Sequence, residues 1–165
     1  MMINVLSSME SHKNLGRLIS LNPAMRVTVE LKNRINAGWH KFHEHRQWLC
    51  NHHVHIGLRL RLFDAVVTPS ILFGGAVLPL SENDLKRLNI VQRRMLRSMI
   101  GWRRFTDEPW EETMRRMKRR MTDALQHLPL SSWSERFHRD RWRYAIHVVN
   151  NKQTAILAST MGATP

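Results

Sequence analysis

The chain has 165 residues, of which 42% are hydrophobic and 24% are charged, and its 26 Lys and Arg against 13 Asp and Glu give a formal net charge of +13. This length and composition fit one folded domain with a hydrophobic core and exclude a disordered chain. The excess of positive charge favours a polyanionic partner, of which nucleic acid is the commonest.

The start of the chain and its cysteine content indicate an intracellular protein. Residues 1–6 are too short for the apolar region of a signal peptide, and Glu10 follows where a cleavage site should come. Cys50 is the single cysteine and can form no internal disulfide, which suits a reducing compartment. We therefore expect the protein in the nucleus or the cytoplasm.

The first 21 residues show no clear hydrophobic period, and Asn22-Pro23 ends them in a turn. The stretch HKNLGRLISL, residues 12–21, is predicted to be a short strand or extended piece. From about residue 26 to residue 48, apolar side chains recur at helical intervals, which predicts an amphipathic helix. Its inner positions are Leu31, Ile35, Trp39 and Phe42, with Gly38 on the same side. A His-rich connection follows this helix.

The next stretch, RLFDAVVTPSILFGGAVLPL at residues 61–80, carries almost no charge. Its apolar run falls short of the roughly 18 residues that a bilayer span needs, so we expect no membrane anchor. The pattern predicts a helix over residues 55–67 that breaks at Thr68-Pro69, because proline lacks a backbone donor, and a turn at Gly74-Gly75. The predicted inner row of this helix is Leu58, Leu62 and Val66.

The segment SENDLKRLNIVQRRMLRSMIG, residues 81–101, has the clearest helix signals. Ser81 is a good N-cap, Asp84 completes an acidic variant of the capping box, and Gly101 supplies a stop. At about 100° per residue, one face of this helix is apolar and another is cationic. The apolar face holds Leu85, Leu88, Gln92, Met95, Leu96 and Met99. The cationic face holds Lys86, Arg93 and Arg97, with Arg87 and Arg94 beside them.

Another helix is predicted within TDEPWEETMRRMKRRMTDALQHLP, residues 106–129. Thr106 or Asp107 caps it, and Pro129 ends it. Pro109 lies at its start, where the N–H group that proline lacks would form no hydrogen bond within the helix. Five of the six residues from 115 to 120 are basic. The predicted apolar stripe is Trp110, Met114, Met117, Met121, Leu125 and Leu128.

A last helix starts with the capping signature of Ser132 and Glu135 and runs through residues 133–149. The whole chain is therefore predicted to be an all-α helical bundle of about five helices, with one short N-terminal strand as an optional addition. We divide it into an N-terminal extended segment at residues 1–22, a helical domain at residues 23–150 and a frayed C-terminal tail at residues 151–165.

No catalytic motif is recognisable, since the chain lacks a Gly-rich phosphate loop, a nucleophile elbow and a paired Asp motif for two magnesium ions. We interpret the lone Asp64 as a satisfied polar group at the core or its rim. The histidines at residues 40–55, with Cys50 among them, match no standard zinc spacing. We interpret them as an exposed connection that adds positive charge near a polyanion at lower pH, and we predict no catalytic and no metal site.

The candidate site is a cationic surface for a phosphate backbone. Residues 86–120 contain twelve basic and four acidic residues, and acidic partners are scarce beyond Glu112. Such uncompensated basic faces favour phosphate contacts over a merely solvated surface. Trp102, Trp110, Trp133 and Trp142 lie near arginines, but we interpret them as core residues and not as platforms for base stacking. The predicted site consists of Lys86, Arg87, Arg93, Arg94, Arg97, Arg103, Arg104, Arg115, Arg116, Lys118, Arg119 and Arg120.

Three stretches follow one another in a familiar order: NLGRLIS, then ELKNRINAGWHKFHEHRQWL, then LRLRLFDAVVTPSILFGGAVLPLSENDLKRLNIVQRRMLRSMIGWRR. Together they cover residues 14–104 and resemble the end of the palm and the thumb region of reverse transcriptases from non-LTR, LINE-type retrotransposons. The matching positions are Leu15-Gly16, which would close a palm strand, then Glu30, Arg34, Ile35 and Ala37, then Val67, Pro69, Phe73 and Gly74, and last Gln92, Arg93, Leu96, Arg97 and Gly101.

The resemblance implies a thumb, a helical bundle that packs beside the palm and holds the template–primer duplex through its sugar-phosphate backbone. It implies that the catalytic palm, with its Asp-Asp loop and its Mg ions, lies upstream of Met1. This chain should then bind no cofactor and should not polymerise alone. Its implied partners are an RNA–DNA or DNA duplex and the palm and fingers domains. The corner from Thr68-Pro69 to Gly74-Gly75 would set the angle of the cationic helix.

Two other classes of function fit the composition. The first is a helical protein-interaction module, or a remnant without function, with a Met-rich docking face at Met114, Met117 and Met121. The second is an amphipathic protein of the membrane surface. The helices of residues 86–120 have enough apolar positions for an ordinary core, and for this reason we expect no membrane partner.

Overall fold

A computed structural model of the chain describes residues 11–14, 17–20, 22–101, 103–126 and 130–161. These residues form an all-α helical bundle, as predicted, preceded by a small hairpin. The helices are α1 (Pro23–Glu44), the single turn α2 (Arg46–Leu49), α3 (Ile56–Leu72), α4 (Glu82–Ile100), α5 (Trp110–Gln126) and α6 (Trp133–Met161), with a 3-10 turn at Gly75–Val77 between α3 and α4.

The N-terminal hairpin has two strands, where the sequence predicted at most one. Strand β1 (Ser11–Asn14) pairs antiparallel with β2 (Arg17–Ser20), with Ser11 opposite Ser20 and Asn14 opposite Arg17. Strand β2 lies against α1. The Leu15-Gly16 pair of the resemblance lies outside the described residues. Each strand spans four residues, too few for an alternating pattern to distinguish two strands from one.

The core lies between α1, α3, α4 and the beginning of α6. It is apolar and close-packed, and burial of this kind is the main source of stability in a domain of this size. Its largest fully buried side chains include Leu31, Phe42, Leu49, Leu60, Phe63, Ile71, Leu88, Met95, Met99, Trp133 and Phe137.

Helix α3 differs from its prediction in both its length and its buried face. It continues through Pro69 to Leu72, so the predicted break at Thr68-Pro69 is wrong. The Ser70 hydroxyl donates to the carbonyl of Val66 at 2.9 Å, within the turn that proline weakens. The predicted inner row is wrong in part, since Leu58 is 56% exposed whereas Leu62 and Val66 are half-buried. The buried positions are instead Arg59, Leu60, Phe63, Val67, Thr68 and Ile71.

Tertiary contacts explain why α3 continues through its proline. Thr68 is buried, and its hydroxyl accepts a hydrogen bond from Nε1 of Trp133 at 3.1 Å. The Trp133 ring stacks on Phe63 with 6.0 Å between centroids. Its backbone N–H donates to the side-chain oxygen of Gln92 on α4. One indole therefore joins α3, α4 and α6, and it favours helical geometry on both sides of Pro69.

The corner after α3 is built from the residues that carry the family resemblance. Arg34 and Glu30 form a buried ion pair on α1, with 2.8 Å between Nη2 and Oε1. Nη1 of Arg34 donates to the carbonyl of Ile71, in the last turn of α3. Gly74 then adopts a left-handed conformation with φ of 57°, which favours glycine. The predicted turn at Gly74-Gly75 is thus confirmed, although it follows Leu72 and not Val67.

The predicted ends of α4 are confirmed. The Ser81 hydroxyl accepts from the backbone N–H of Asp84, and the Asp84 carboxylate accepts from the N–H of Ser81. Gly101 ends the helix in a left-handed conformation with φ of 79°. All six residues of the predicted apolar face are buried.

Helices α5 and α6 agree with prediction in part. Ser132 and Glu135 exchange capping hydrogen bonds, as predicted, but α6 extends to Met161, beyond the expected end near residue 149. On α5, the exposed Trp110 and Met114 do not belong to a buried stripe. The buried positions of α5 are Thr113, Met117 and Ala124. Leu128 and Pro129 lie outside the described residues.

The segment Ile56–Val77 is apolar and long enough to cross a membrane by length and composition, with a mean hydropathy of 1.4 over its most apolar window. The core helix of a soluble protein passes the same test. In this bundle α3 places Leu60, Phe63, Val67 and Ile71 in the core, each with 2% exposure or less.

Candidate nucleic-acid interface

The outer face of α4 presents a row of cationic side chains. Lys86, Arg87, Arg93 and Arg94 are all exposed, and none of the four forms an ion pair within the described residues. At 100° per residue they fall within an arc of about 120° on the helix surface. The face is rigid, because the opposite side of α4 is anchored in the core at Leu88, Met95 and Met99. The exposure of these four side chains agrees with the predicted face, whereas Arg97, its fifth member, is half-buried.

A groove between α4 and α5 extends this cationic face. Its volume is about 420 Å³, and four of its lining side chains are basic. Its apolar side consists of Met114, Met117, Met121 and Leu125 on α5. The basic side chains on its rim are Arg93 and Arg97 of α4 and Arg115 and Lys118 of α5. Within this stripe Met114 is exposed, Met121 is half-buried and Met117 is buried in a small apolar cluster with Ile100 and Ala124.

A second cavity lies at the C-terminal end of α4, with a volume of about 580 Å³. Three arginines from two helices line it, Arg46 of α2 and Arg94 and Arg97 of α4, together with Ser98, Gly101 and Trp110. Arg97 therefore lines both this cavity and the neighbouring groove. Sequence reasoning missed Arg46, which falls within the His-rich connection and has no basic neighbour in its own short helix.

Arg116 is held by the protein itself. Its guanidinium forms two hydrogen bonds with the Glu108 carboxylate, at 2.6 Å and 2.8 Å, and lies 4.3 Å from the ring centre of Phe105. The Thr113 hydroxyl also donates to Glu108. Hydrogen bonding by Arg116 lowers the pKa of Glu108 to about 2, and the same pair raises the pKa of Arg116. Arg116 therefore stabilises the loop before α5 and is a poor candidate for phosphate binding.

Three other predicted site residues also have partners in the protein. Arg120 donates to the carbonyl of Ile100 at 3.2 Å, and Arg115 lies 3.7 Å from the Glu111 carboxylate. Arg104 lies over the Trp110 ring at 5.9 Å. Acidic partners were expected to be scarce beyond Glu112, and the described residues show two such pairs in this region, Glu108 with Arg116 and Glu111 with Arg115.

The remaining basic residues of α5 and the preceding loop are exposed. Arg103 lies 5.9 Å from the ring centre of Phe105. Lys118 is on the groove rim, and Arg119 is exposed on α5. The structure thus brings Lys86, Arg87, Arg93, Arg94, Arg97, Arg115 and Lys118 to α4 and its adjoining groove, whereas Arg116 is held by Glu108.

The tryptophans separate into two groups, which corrects their common assignment to the core. Trp133 is fully buried, as predicted. Trp110 and Trp142 are 55% and 70% exposed, so their assignment to the core is wrong. Trp102 lies outside the described residues. Trp110 is the one aromatic residue of α5, and a single aromatic side chain in the first turn does not suffice to decide which face is buried.

A buried arginine that the sequence did not identify stabilises the end of α4. Arg59 is 7% exposed and donates to three backbone carbonyls, those of Leu49, Val54 and Met99. Burial lowers its pKa. These bonds fix α2 and the following loop against the C-terminal end of α4, beside the second cavity.

The remaining polar residues singled out in the sequence have structural partners. Asp64 pairs with Arg136 of α6 at 2.5 Å and is therefore a satisfied polar group, as predicted. Among the histidines, His43 stacks on Trp39, and Nδ1 of His55 accepts from the N–H of Gly57 at the start of α3. Within the described ranges, no three His, Cys, Asp or Glu side chains come together as metal ligands would.

Comparison of the chain with protein-family models, with curated proteins and with solved structures finds no match in any of the three.

Proposed function

We propose that this protein binds the sugar-phosphate backbone of a nucleic-acid duplex without sequence preference, as the thumb of a non-LTR retrotransposon reverse transcriptase would. The single observation that carries the proposal is the outer face of α4, where Lys86, Arg87, Arg93 and Arg94 are exposed and have no ion pair among the described residues. Other basic side chains of the bundle do have acidic partners, among them Arg34, Arg116 and Arg136.

The chemistry of this face fits a phosphate backbone. Each Lys or Arg that neutralises a phosphate releases a condensed counterion, and this sequence-independent term dominates non-specific binding. The face consists of long cationic side chains, which contact phosphates whatever the base beside them. Sequence-tolerant binding is the behaviour expected of such a surface.

The positions of the resemblance support the same proposal. Glu30 and Arg34 form the buried ion pair that contacts the end of α3, and Gly74 forms the turn that follows. These residues act through packing, and they set the direction of α4 relative to α3. The rigid corner would hold the cationic face at a fixed angle to the missing palm. The proposal includes no catalysis by this chain and no metal of its own.

The test is a neutralising triple variant, Arg93→Gln, Arg94→Gln and Arg97→Gln, in a fluorescence anisotropy titration with a labelled RNA–DNA hybrid and with DNA duplexes of unrelated sequence. We expect weaker binding to all duplexes alike. We also expect the dependence of log K on log salt to become shallower by about one unit for each lost phosphate contact.

The matched control removes the same three charges from α6, with Arg139→Gln, Arg141→Gln and Arg143→Gln. All three of these side chains are exposed, as are Arg93 and Arg94, whereas Arg97 is half-buried, so circular dichroism should first show that both triple variants are folded. Unchanged duplex affinity in the α4 variant, or an equal loss in both variants, would overturn the assignment of the α4 face.

A protein-docking function is the second candidate, and the α4–α5 groove favours it. Four apolar side chains border this groove, and methionine adapts to varied partners. A partner helix could place its apolar side against Met114, Met121 and Leu125, whereas Met117 is buried. Sedimentation and unfolding experiments separate the two functions, because a monomer that unfolds cooperatively and binds duplex needs no partner protein.

A further inference from the structure

The cavity at the C-terminal end of α4 combines positive charge with an exposed aromatic ring. Arg46, Arg94 and Arg97 supply the charge, Trp110 supplies the ring and Ser98 supplies a hydroxyl. No carboxylate is among the described residues that line it. Its volume of about 580 Å³ is in the range of sites that bind small molecules.

We propose that this cavity binds an unpaired nucleotide at the end of a duplex, with the base stacked on Trp110 and its phosphate between Arg46 and Arg94. This site rests on the proposed function: the outer face of α4 would hold the duplex, and the cavity at the end of the same helix would hold a single-stranded extension of it. Flat rings of any base stack on an indole, so this site also needs no sequence preference.

The state of Trp110 supports a role in stacking. Its side chain is 55% exposed although it is large and apolar, while Trp133 of the same bundle is fully buried. Arg104 lies over the indole at 5.9 Å, and such a cation–π contact favours a fixed ring. A fixed ring loses less conformational freedom when a base stacks on it.

The end of α4 is also prepared for an anion, although a helix C-terminus ordinarily repels negative charge. The carbonyl of Met99 accepts from Arg59 at 2.6 Å, and the carbonyl of Ile100 accepts from Arg120 at 3.2 Å. Two of the last carbonyls are thus covered by arginine donors. These two bonds reduce the repulsion that the end of α4 would exert on an anion, although Arg59 is itself buried and neither Arg59 nor Arg120 lines the cavity.

The cavity is continuous with the cationic face of α4. Arg94 belongs to both the outer face of α4 and this cavity, and Arg97 lies between the cavity and the groove. A backbone that follows Arg87 and Arg94 along α4 reaches the cavity at the end of the helix. Arg46 extends the cationic path on the far side, from a different helix.

The experiment compares three labelled RNA–DNA hybrids in anisotropy titrations: a blunt duplex, the same duplex with a short single-stranded extension, and the same extension without bases. We expect the extended duplex to bind more tightly than the blunt one by about five- to hundredfold, the range of one stacked base. Trp110→Ala should abolish this advantage, as should removal of the bases. Arg46→Ala should reduce it.

Trp142→Ala is the matched control, because Trp142 is also exposed and lies on α6, away from this cavity. It should keep the full advantage of the extension. The Trp110→Ala variant should also keep the salt dependence of the native protein, since stacking neutralises no phosphate.

The outcomes separate the two proposals. Equal affinity for blunt and extended duplexes, with blunt binding intact, overturns the stacking site and leaves the proposed function standing. Loss of the advantage in Trp142→Ala as much as in Trp110→Ala also overturns the site. Binding of the extended strand without any binding of blunt duplex overturns the proposed function and supports the cavity. Failure to bind either nucleic acid overturns both.

Discussion

Single arginines in this bundle differ in what their guanidinium groups contact. Arg59 donates to three carbonyls in the interior, and Arg116 is held by a carboxylate and an aromatic ring. Arg93 and Arg94 face solvent without an ion pair in the described part of the chain. An arginine of this bundle therefore either stabilises the fold or remains available to a ligand. Whether the protein supplies a carbonyl, a carboxylate or a ring to its guanidinium group decides between the two.

The Glu108–Arg116 pair should make stability depend on pH in the acid range. Because hydrogen bonding by Arg116 lowers the pKa of Glu108 from 4.5 to about 2, the ionised carboxylate is favoured by folding. Its contribution is complete above the unfolded pKa of 4.5 and is lost as the pH falls through about 2. Glu108→Gln should flatten the pH dependence of the free energy of unfolding in this window, measured by urea denaturation.

The exposed Glu112 provides the control for this prediction, since it lies in the same region and forms no ion pair within the described residues. Glu112→Gln should leave the acid profile close to that of the native protein. Parallel profiles for the native protein and Glu108→Gln would contradict the assignment of the shifted pKa to folding.

Arg59 should matter more to stability than any solvent-facing arginine. Arg59→Met fills similar space but leaves the carbonyls of Leu49, Val54 and Met99 without their donor, and we expect a loss of about 2–4 kcal/mol. Arg61→Met, at an exposed position of the same helix, should change stability by less than about 0.5 kcal/mol. Equal losses in the two variants, measured by urea unfolding, would contradict the structural role of Arg59.

Pairs of helices fit together in ways that their own sequences do not reveal. Gly38 of α1 faces Ile71 of α3 so closely that a Cβ atom at residue 38 would lie 2.3 Å from the Ile71 side chain. The crossing of α1 and α3 thus depends on the absence of a side chain. Just after this end of α3, the 3-10 turn packs Gly75 against the Phe137 ring of α6.

Gly38→Ala should destabilise the protein by about 1–3 kcal/mol, because overpacking between two helices outweighs the better helix propensity of alanine. Asn36→Ala, at an exposed position of the same helix, should be neutral or slightly stabilising. Adding Ile71→Val to Gly38→Ala should cost less than the sum of the two single changes, measured by thermal or urea unfolding. Strict additivity would show that the two side chains do not meet.

At the scale of the whole molecule, the core ends partway along α6. Trp133 and Phe137 are buried against α3 and α4, whereas Trp142, Tyr144, Ile146 and Val149 are exposed. The first two turns of α6 therefore complete the bundle, and the described side chains that follow face away from it. The cationic face of α4 lies on the opposite side of its helix from this core.

Two matched substitutions on α6 should locate the end of the core. Trp133→Phe removes the hydrogen bond to Thr68 and part of a buried ring, and we expect a loss of about 1–3 kcal/mol in the free energy of unfolding. Trp142→Phe should change it by less than about 0.5 kcal/mol, because the side chain is 70% exposed. A comparable loss at Trp142 would mean that a further surface covers this part of α6.

The sequence by itself determined the helical class, the limits of α4 and its two faces. Ser81, Asp84 and Gly101 act within a few residues of themselves, and the strong period of residues 85–99 places apolar and basic side chains on different faces. Local signals of this kind do not depend on the rest of the fold, and for this reason they were predictive. The start of α6 at Ser132 and Glu135 was predicted for the same reason.

Only the tertiary structure decided which side of α3 is buried, whether that helix passes Pro69 and which arginines are held by the protein. Helix α3 is apolar on nearly every side, so the spacing of its apolar residues defines no inner face. Its continuation past Pro69 depends on the hydrogen bond between Thr68 and Trp133, which lie 65 residues apart in the sequence. The cavity likewise joins Arg46 to Arg94 and Trp110, which no local pattern connects. Burial and hydrogen bonding between distant residues are properties of the folded chain, and they outweigh the weak preferences of single segments.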